Sequence, residues 1–178
     1  MDIVICINKQ YLMPAGVMLC SLFENNKEDQ ITIHTLLGEG GDQCVKPLEE
    51  MTERYHQTIR FYDMKGVRTE DFPVGLYFQE PFITKEAYFR LFVMDVLPQT
   101  LEKVLYLDVD MVICGSIREL WDMDISDVAV GAVPDCFHQD IHETNRIGYE
   151  VSLGIFNSGV LLINLNYWRE HDVMKEFV

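Results

Sequence analysis

Positive charge is scarce in this sequence of 178 residues: 14 Lys plus Arg stand against 29 Asp plus Glu, a formal net charge of −15. A chain this acidic repels phosphate backbones, which argues against non-specific nucleic-acid binding and disfavours anionic membrane surfaces. Long apolar runs are missing too. No stretch approaches the roughly 18 apolar residues a membrane helix needs. The opening MDIVICIN has neither a basic stretch nor an apolar run long enough for a signal peptide. Cysteine is sparse: Cys6, Cys20, Cys44, Cys114 and Cys136 contain no C-x-x-C pair. An odd count of scattered cysteines reads as reduced thiols and so as a cytoplasmic chain, most of them small core residues in apolar runs. Internal repeats and low-complexity segments are absent. What remains is the balance of a globular protein, 48% apolar and 24% charged, which excludes general disorder. The length fits one domain over residues 1–178.

Strand and helix patterns alternate. Residues 2–7 form a continuous apolar run, read as a buried parallel strand. Pro14 marks the start of a helix reaching about Asn25. Strands are expected at 31–37 and 58–63, with a helix at 44–56 between them. A loop with Gly66, Pro73, Gly75 and Pro81 leads to about residue 82. Residues 84–95 read as a helix, 103–108 and 127–133 as strands, and SGVLLINL (158–165) as another. This is an α/β domain with a largely parallel central sheet. Ligands of such sheets lie at the carboxyl ends of the strands. The last segment, NYWREHDVMKEFV, reads as an amphipathic helix without a stop signal, so the domain is expected to continue past Val178.

The main chemical signal is KVLYLDVDMVI. Asp108 and Asp110 follow the apolar strand Val104 to Leu107 at its carboxyl end, and a spacing of two in extended chain puts both carboxylates on one side. Adjacent carboxylates repel, and a divalent cation bridging them to a diphosphate relieves that repulsion. Turn or N-cap carboxylates are the plain alternative, and they are the reading for the second D-x-D, Asp122 and Asp124. The segment KEAYFRLFVMDV is apolar almost all round, which predicts a buried helix with Arg90 in its middle. A guanidinium there needs an anion: a carboxylate such as Asp108, or a phosphate or sugar oxygen of a ligand. His138 and His142, four apart beside Cys136, make a weak zinc candidate.

Three blocks coincide in order: MDIVICINKQY; the AYFRL helix; and KVLYLDVDMVICGSIRELWDMD followed by GAVPD and FNSGVLLINLNYWREHD. Together they resemble the family 8 retaining glycosyltransferases, of the lipopolysaccharide galactosyltransferase and glycogenin type. The resemblance implies a GT-A fold, a Rossmann-like nucleotide-sugar-binding domain, here lacking its C-terminal part. It implies Mn²⁺-dependent transfer of glucose or galactose, with retention, from UDP-glucose or UDP-galactose to a glycan, lipopolysaccharide or other saccharide. Mg²⁺ is the other candidate ion. By position, Asp108 and Asp110 resemble the metal ligands. Ile7, Asn8, Tyr11, Arg90 and Val109 resemble donor-binding residues, and Asp135 and Asn157 resemble residues of the sugar and acceptor pocket. The residues define no nucleophile: Asp135 is one option, and a front-face route without a covalent intermediate stands equally beside it.

Two departures stand out. An Asp-Asp-Asn run common in the family is replaced by Asn8-Lys9-Gln10, so Asn8 would accept from the base through its amide oxygen, without charge assistance. The metal-binding histidine of the family belongs to a C-terminal motif that would lie past Val178, as would any peripheral membrane contact. A domain ending there is expected to bind UDP and Mn²⁺ weakly and to transfer sugar poorly. Two alternatives remain: a nucleotide-sugar-binding fragment without transfer, and a haloacid-dehalogenase-type phosphatase. In the latter, Asp108 would be the nucleophile and Asp110 the general acid.

Overall fold

The fold is that of a computed structural model, which describes residues 1–67, 76–77, 80–81, 85–136, 150, 152 and 154–176. The β-branched run DIVICI forms β1 (Asp2–Ile7). A single 3₁₀ turn, Lys9–Tyr11, leads into α1 (Leu12–Asn25). Pro14 lies in the first turn of α1, where it breaks no intrahelical bond. Ala15, Met18, Leu19, Leu22 and Phe23 recur at helical spacing and are buried. Each large one contributes about 2 kcal/mol of burial before the entropy cost. Then come β2 (Thr32–Leu37), α2 (Asp42–Arg54) and β3 (Thr58–Asp63). A two-stranded ladder pairs β4 (Leu76–Tyr77) with β5 (Glu80–Pro81).

The second half begins with a 3₁₀ helix, Lys85–Phe92, continuing as α3 (Val93–Val96). It proceeds through β6 (Lys103–Leu107), α4 (Arg118–Trp121), β7 (Val130–Pro134), β8 (Phe156–Asn164) and α5 (Leu165–Glu170). The main sheet has the order β3-β2-β1-β6-β8-β7. β3, β2, β1 and β6 run parallel, and β8 is antiparallel to both neighbours, so it alone of the six points the other way. Strand order reverses at β1, with β2 on one side and β6 on the other. The carboxyl ends of β1 and β6 therefore meet at a switch point, where open α/β sheets bind ligands. Two apolar clusters sandwich the sheet. Ile3, Ile5 and Leu105 belong to the one holding α1, and Val4, Val104 and Tyr106 to the one holding Phe89, Val93 and Trp168.

Three expectations need correction. The 84–95 segment is helical but not buried all round: of residues 85–96, Phe89, Val93 and Met94 are buried. Its first two turns flank an opening in the protein, so the other large side chains are only half covered. The cysteines are mostly not core. Cys44 is buried and Cys6 intermediate, whereas Cys20, Cys114 and Cys136 are exposed; all five are free thiols. The final segment is not one helix. α5 ends at Glu170 with His171 as its C-cap, Asp172 takes a left-handed φ of 48°, and a 3₁₀ helix follows at Val173–Glu176. The sheet is largely parallel, as expected; within it β8 runs antiparallel to both neighbours, although its apolar run would also suit a parallel strand. It is covered on both faces, which produces the same pattern in either direction.

Candidate functional site

At the β1–β6 junction lies a cavity of about 130 Å³. Cys6, Ile7, Asn8 and Tyr11 line it from the end of β1 and the turn after it. Glu86, Ala87 and Arg90 come from the 3₁₀ helix, and Tyr106, Asp108, Val109 and Asp110 from the end of β6. All seven residues expected to bind the donor (Ile7, Asn8, Tyr11, Arg90, Asp108, Val109 and Asp110) line this one space.

Local chemistry explains how each side chain is held. Asn8 is the N-cap of the 3₁₀ turn, and its Oδ1 accepts from the Gln10 N–H at 3.0 Å. The amide oxygen expected to face a base therefore already has one partner, and its second lone pair remains. The Asp108 N–H donates to the Gly159 carbonyl at 2.8 Å, tying the end of β6 to β8. Arg90 donates from Nε to the Ala87 carbonyl at 2.6 Å and from Nη1 to the Ser158 carbonyl at 2.5 Å. Its Nη2 lies 3.3 Å from Asp108 Oδ1. Of the two partners expected for Arg90, the carboxylate is the one observed. The guanidinium also sits over the Tyr106 ring, 4.4 Å from its centroid, where cation–π attraction adds to the ion pair.

Tyr106 was expected only as a core residue. Its ring is 2% exposed, yet its hydroxyl donates to Asp108 Oδ1 at 2.6 Å. Burial holds its phenol well above its ordinary value of 10.0, so at neutral pH it is a donor. The Cys6 thiol is pushed up to about 12, chiefly by desolvation and against the pull of Arg90, so it is no nucleophile. Glu86, on the same helix as Arg90, was also missed; its Oε1 lies 3.4 Å from the Glu39 N–H. The signal for Tyr106 was in the strand itself, because residues 106 and 108, two apart at the end of β6, fall on one side.

The other expected pair lies apart from this cavity. Asn157 Nδ2 donates to Asp135 Oδ2 at 3.3 Å, at the meeting of β7 and β8, and Asn157 Oδ1 accepts from the Gly159 N–H at 2.8 Å. Gly159 connects the two places. A Cβ there would lie 2.9 Å from Asp108 Oδ2 and 3.1 Å from Asn157 Oδ1, so both oxygens crowd one glycine and only a residue without a side chain fits unchanged.

Three carboxylates (Glu86, Asp108, Asp110) face one guanidinium in the cavity lining. Asp108 and Asp110 supply the hard oxygen donors that Mn²⁺ or Mg²⁺ takes, so they fit such an ion as part of a ligand set completed by phosphate oxygens. Among the described residues no group of three or more His, Cys, Asp or Glu side chains converges as a complete metal site. His34 is not a candidate: it bonds Tyr62 at 2.9 Å and Asp2 at 3.0 Å inside the sheet. His138 and His142 lie outside the described residues, and the second D-x-D is a turn, with Asp124 Oδ1 accepting from the Ser126 N–H at 2.9 Å.

A cavity at the switch point of a largely parallel sheet, with carboxylates at a strand end, places the chain among the ligand-binding doubly wound α/β domains. The chain belongs to glycosyl transferase family 8, whose model matches residues 2–178. General stress protein A of Bacillus subtilis is 29% identical over 100% of this chain and 60% of its own length. A lipopolysaccharide 1,2-glucosyltransferase of Escherichia coli is 27% identical over 96% of this chain and 49% of its own length. Among solved structures, the galactosyltransferase LgtC in complex with donor and acceptor sugar analogs superposes with a TM-score of 0.84 at 31% identity, covering 98% of this chain and 62% of LgtC. The expected GT-A fold is thus the observed one. The chain spans about half the length of the curated relatives it matches. Among the described residues no helix is long and apolar enough to cross a membrane.

Proposed function

We propose that this chain is the nucleotide-sugar-binding part of a retaining hexosyltransferase. It would take UDP-glucose or UDP-galactose as donor, and a glycan or lipopolysaccharide-type saccharide as acceptor. The observation that carries the reading is the convergence of three separate segments, 6–11, 86–90 and 106–110, on one cavity at the switch point. The names of the relatives, among them a lipopolysaccharide 1,2-glucosyltransferase and a lipopolysaccharide 1,3-galactosyltransferase, support the acceptor class. Ile7, Asn8 and Tyr11 would hold the nucleoside at the end of β1. Arg90 would exchange part of its hold on Asp108 for a phosphate oxygen. A Mn²⁺ ion held by Asp108 and Asp110 would neutralise charge on the departing diphosphate. Asp135 and Asn157 would meet the transferred sugar and the acceptor across Gly159. Because Asp108 Oδ1 is already bonded to Tyr106 and Arg90, the arrangement suits a ligand-holding carboxylate better than a phosphatase nucleophile.

The test is a panel of UDP-, GDP- and ADP-hexoses with Mn²⁺, read by thermal shift and by transfer to saccharide acceptors. Stabilisation by UDP-hexoses above the others is expected. Equal response to all, or phosphate release from an aryl phosphate lost in Asp108→Asn, would overturn it.

A further inference from the structure

We propose that Tyr106 is a positioning residue that turns the Asp108 carboxylate so that one oxygen alone, Oδ2, is offered to a divalent cation. This rests on the nucleotide-sugar reading above. An isolated carboxylate flips readily about its last torsion and offers either oxygen, or both. Here one oxygen is committed. Oδ1 accepts the Tyr106 hydroxyl at 2.6 Å and faces Arg90 Nη2 at 3.3 Å. Oδ2 has neither partner and lies toward Gly159. Both donors to Oδ1 are themselves fixed. Tyr106 is packed into the core at 2% exposure. Arg90 rests on the Tyr106 ring and is anchored by the Ala87 and Ser158 carbonyls. The tyrosine thus acts twice, through its hydroxyl on Asp108 and through its ring on the arginine. Partners that orient a ligating carboxylate in this way commonly change metal affinity 10- to 100-fold when removed. Arg90 remains on Oδ1 when the hydroxyl goes, so a smaller loss is expected here.

Tyr106→Phe separates the two roles, because it keeps the ring beneath Arg90 and nearly all the core volume while deleting the hydroxyl. Tyr62→Phe removes another hydroxyl from the same sheet, one bonded to His34 and outside the cavity. Free Mn²⁺ is followed by its paramagnetic resonance signal during titration of the UDP-saturated chain, and UDP affinity is measured separately without metal. Tyr106→Phe is expected to weaken Mn²⁺ binding about 5- to 10-fold, with metal-free UDP affinity unchanged within about two-fold and Tyr62→Phe like the unaltered chain in both. Mn²⁺ affinity of Tyr106→Phe within about two-fold of the unaltered chain overturns the positioning role and leaves the donor reading standing. An equal loss in Tyr62→Phe overturns it too, as general softening of the sheet. An unaltered chain that takes up no Mn²⁺ in the presence of UDP removes the metal reading and this proposal together.

Discussion

At the β1–β6 junction, side chains from three segments are held by hydrogen bonds, an ion pair and a ring contact. At the β7–β8 end, Asp135, just past the edge strand β7, meets Asn157 of β8 at 3.3 Å, with Val133 and Phe156 beside them more than half exposed. The first region sits at the sheet centre, where β1 and β6 each have a paired strand on both sides. The second lies where the sheet runs out, so less of its surroundings comes from the fold. Pre-organisation of this kind suits holding a diphosphate and cation in one pose, while an open edge suits a larger acceptor.

Four perturbations would break or sharpen this contrast. The largest effect is expected from Arg90→Ala, which removes the donor to two carbonyls and the partner of Asp108. A stability loss of about 2–3 kcal/mol in urea unfolding is predicted, with UDP-hexose binding weakened more than about ten-fold. Gly159→Ala comes next. Its Cβ would press on Asp108 Oδ2 and Asn157 Oδ1 together, so about 1–2 kcal/mol of destabilisation is expected, with Mn²⁺ binding reduced as well. If Mn²⁺ binding survives, the two regions are less connected than the geometry implies.

Alkaline pH probes the first region through Cys6, and the Cys6→Ala comparison isolates that part. The Cys6 thiol is raised from 9.0 to about 12. A folded chain that keeps this proton after the unfolded chain has released it is fully stabilised below pH 9 and loses that advantage as pH rises toward 12. By pH 10 the loss is about 1 kcal/mol, and Cys6→Ala should flatten the slope in unfolding curves. A parallel slope in both chains would contradict it. The smallest effect on stability is expected from Asn157→Ala, within about 0.5 kcal/mol. There, UDP binding should persist while transfer falls, and a comparable loss of both would erase the distinction between the two ends.

Much of the sheet centre was legible in the residues. The run Ile3 to Ile7 and the strand before Asp108 are apolar enough to read as buried strands, and the strand-end carboxylates follow from period two. The same period would have joined Tyr106 to Asp108, but an aromatic in an apolar strand carries the stronger signal of core packing. Ser158 and Gly159 were not legible as neighbours of Arg90 and Asp108. That contact depends on β8 pairing antiparallel with β6, which no local pattern in LLINL reveals. Nor could spacing show that the Arg90 segment winds as a 3₁₀ helix at the mouth of a cavity, because the same apolar residues would also fit a buried α-helix.

We propose that the β1–β6 cavity is a metal-assisted UDP site. Calorimetric titration of UDP into the chain, with and without Mn²⁺ and beside Asp110→Ala, tests it most directly. Asp110 is exposed, lines the cavity and has no hydrogen bond or ion pair among the described residues, so its loss should leave the fold intact. Mn²⁺ is expected to strengthen UDP binding in the unaltered chain and to leave it unchanged in Asp110→Ala. UDP binding equal in all four titrations, or strengthened by Mn²⁺ as much in the variant as in the parent, would contradict it.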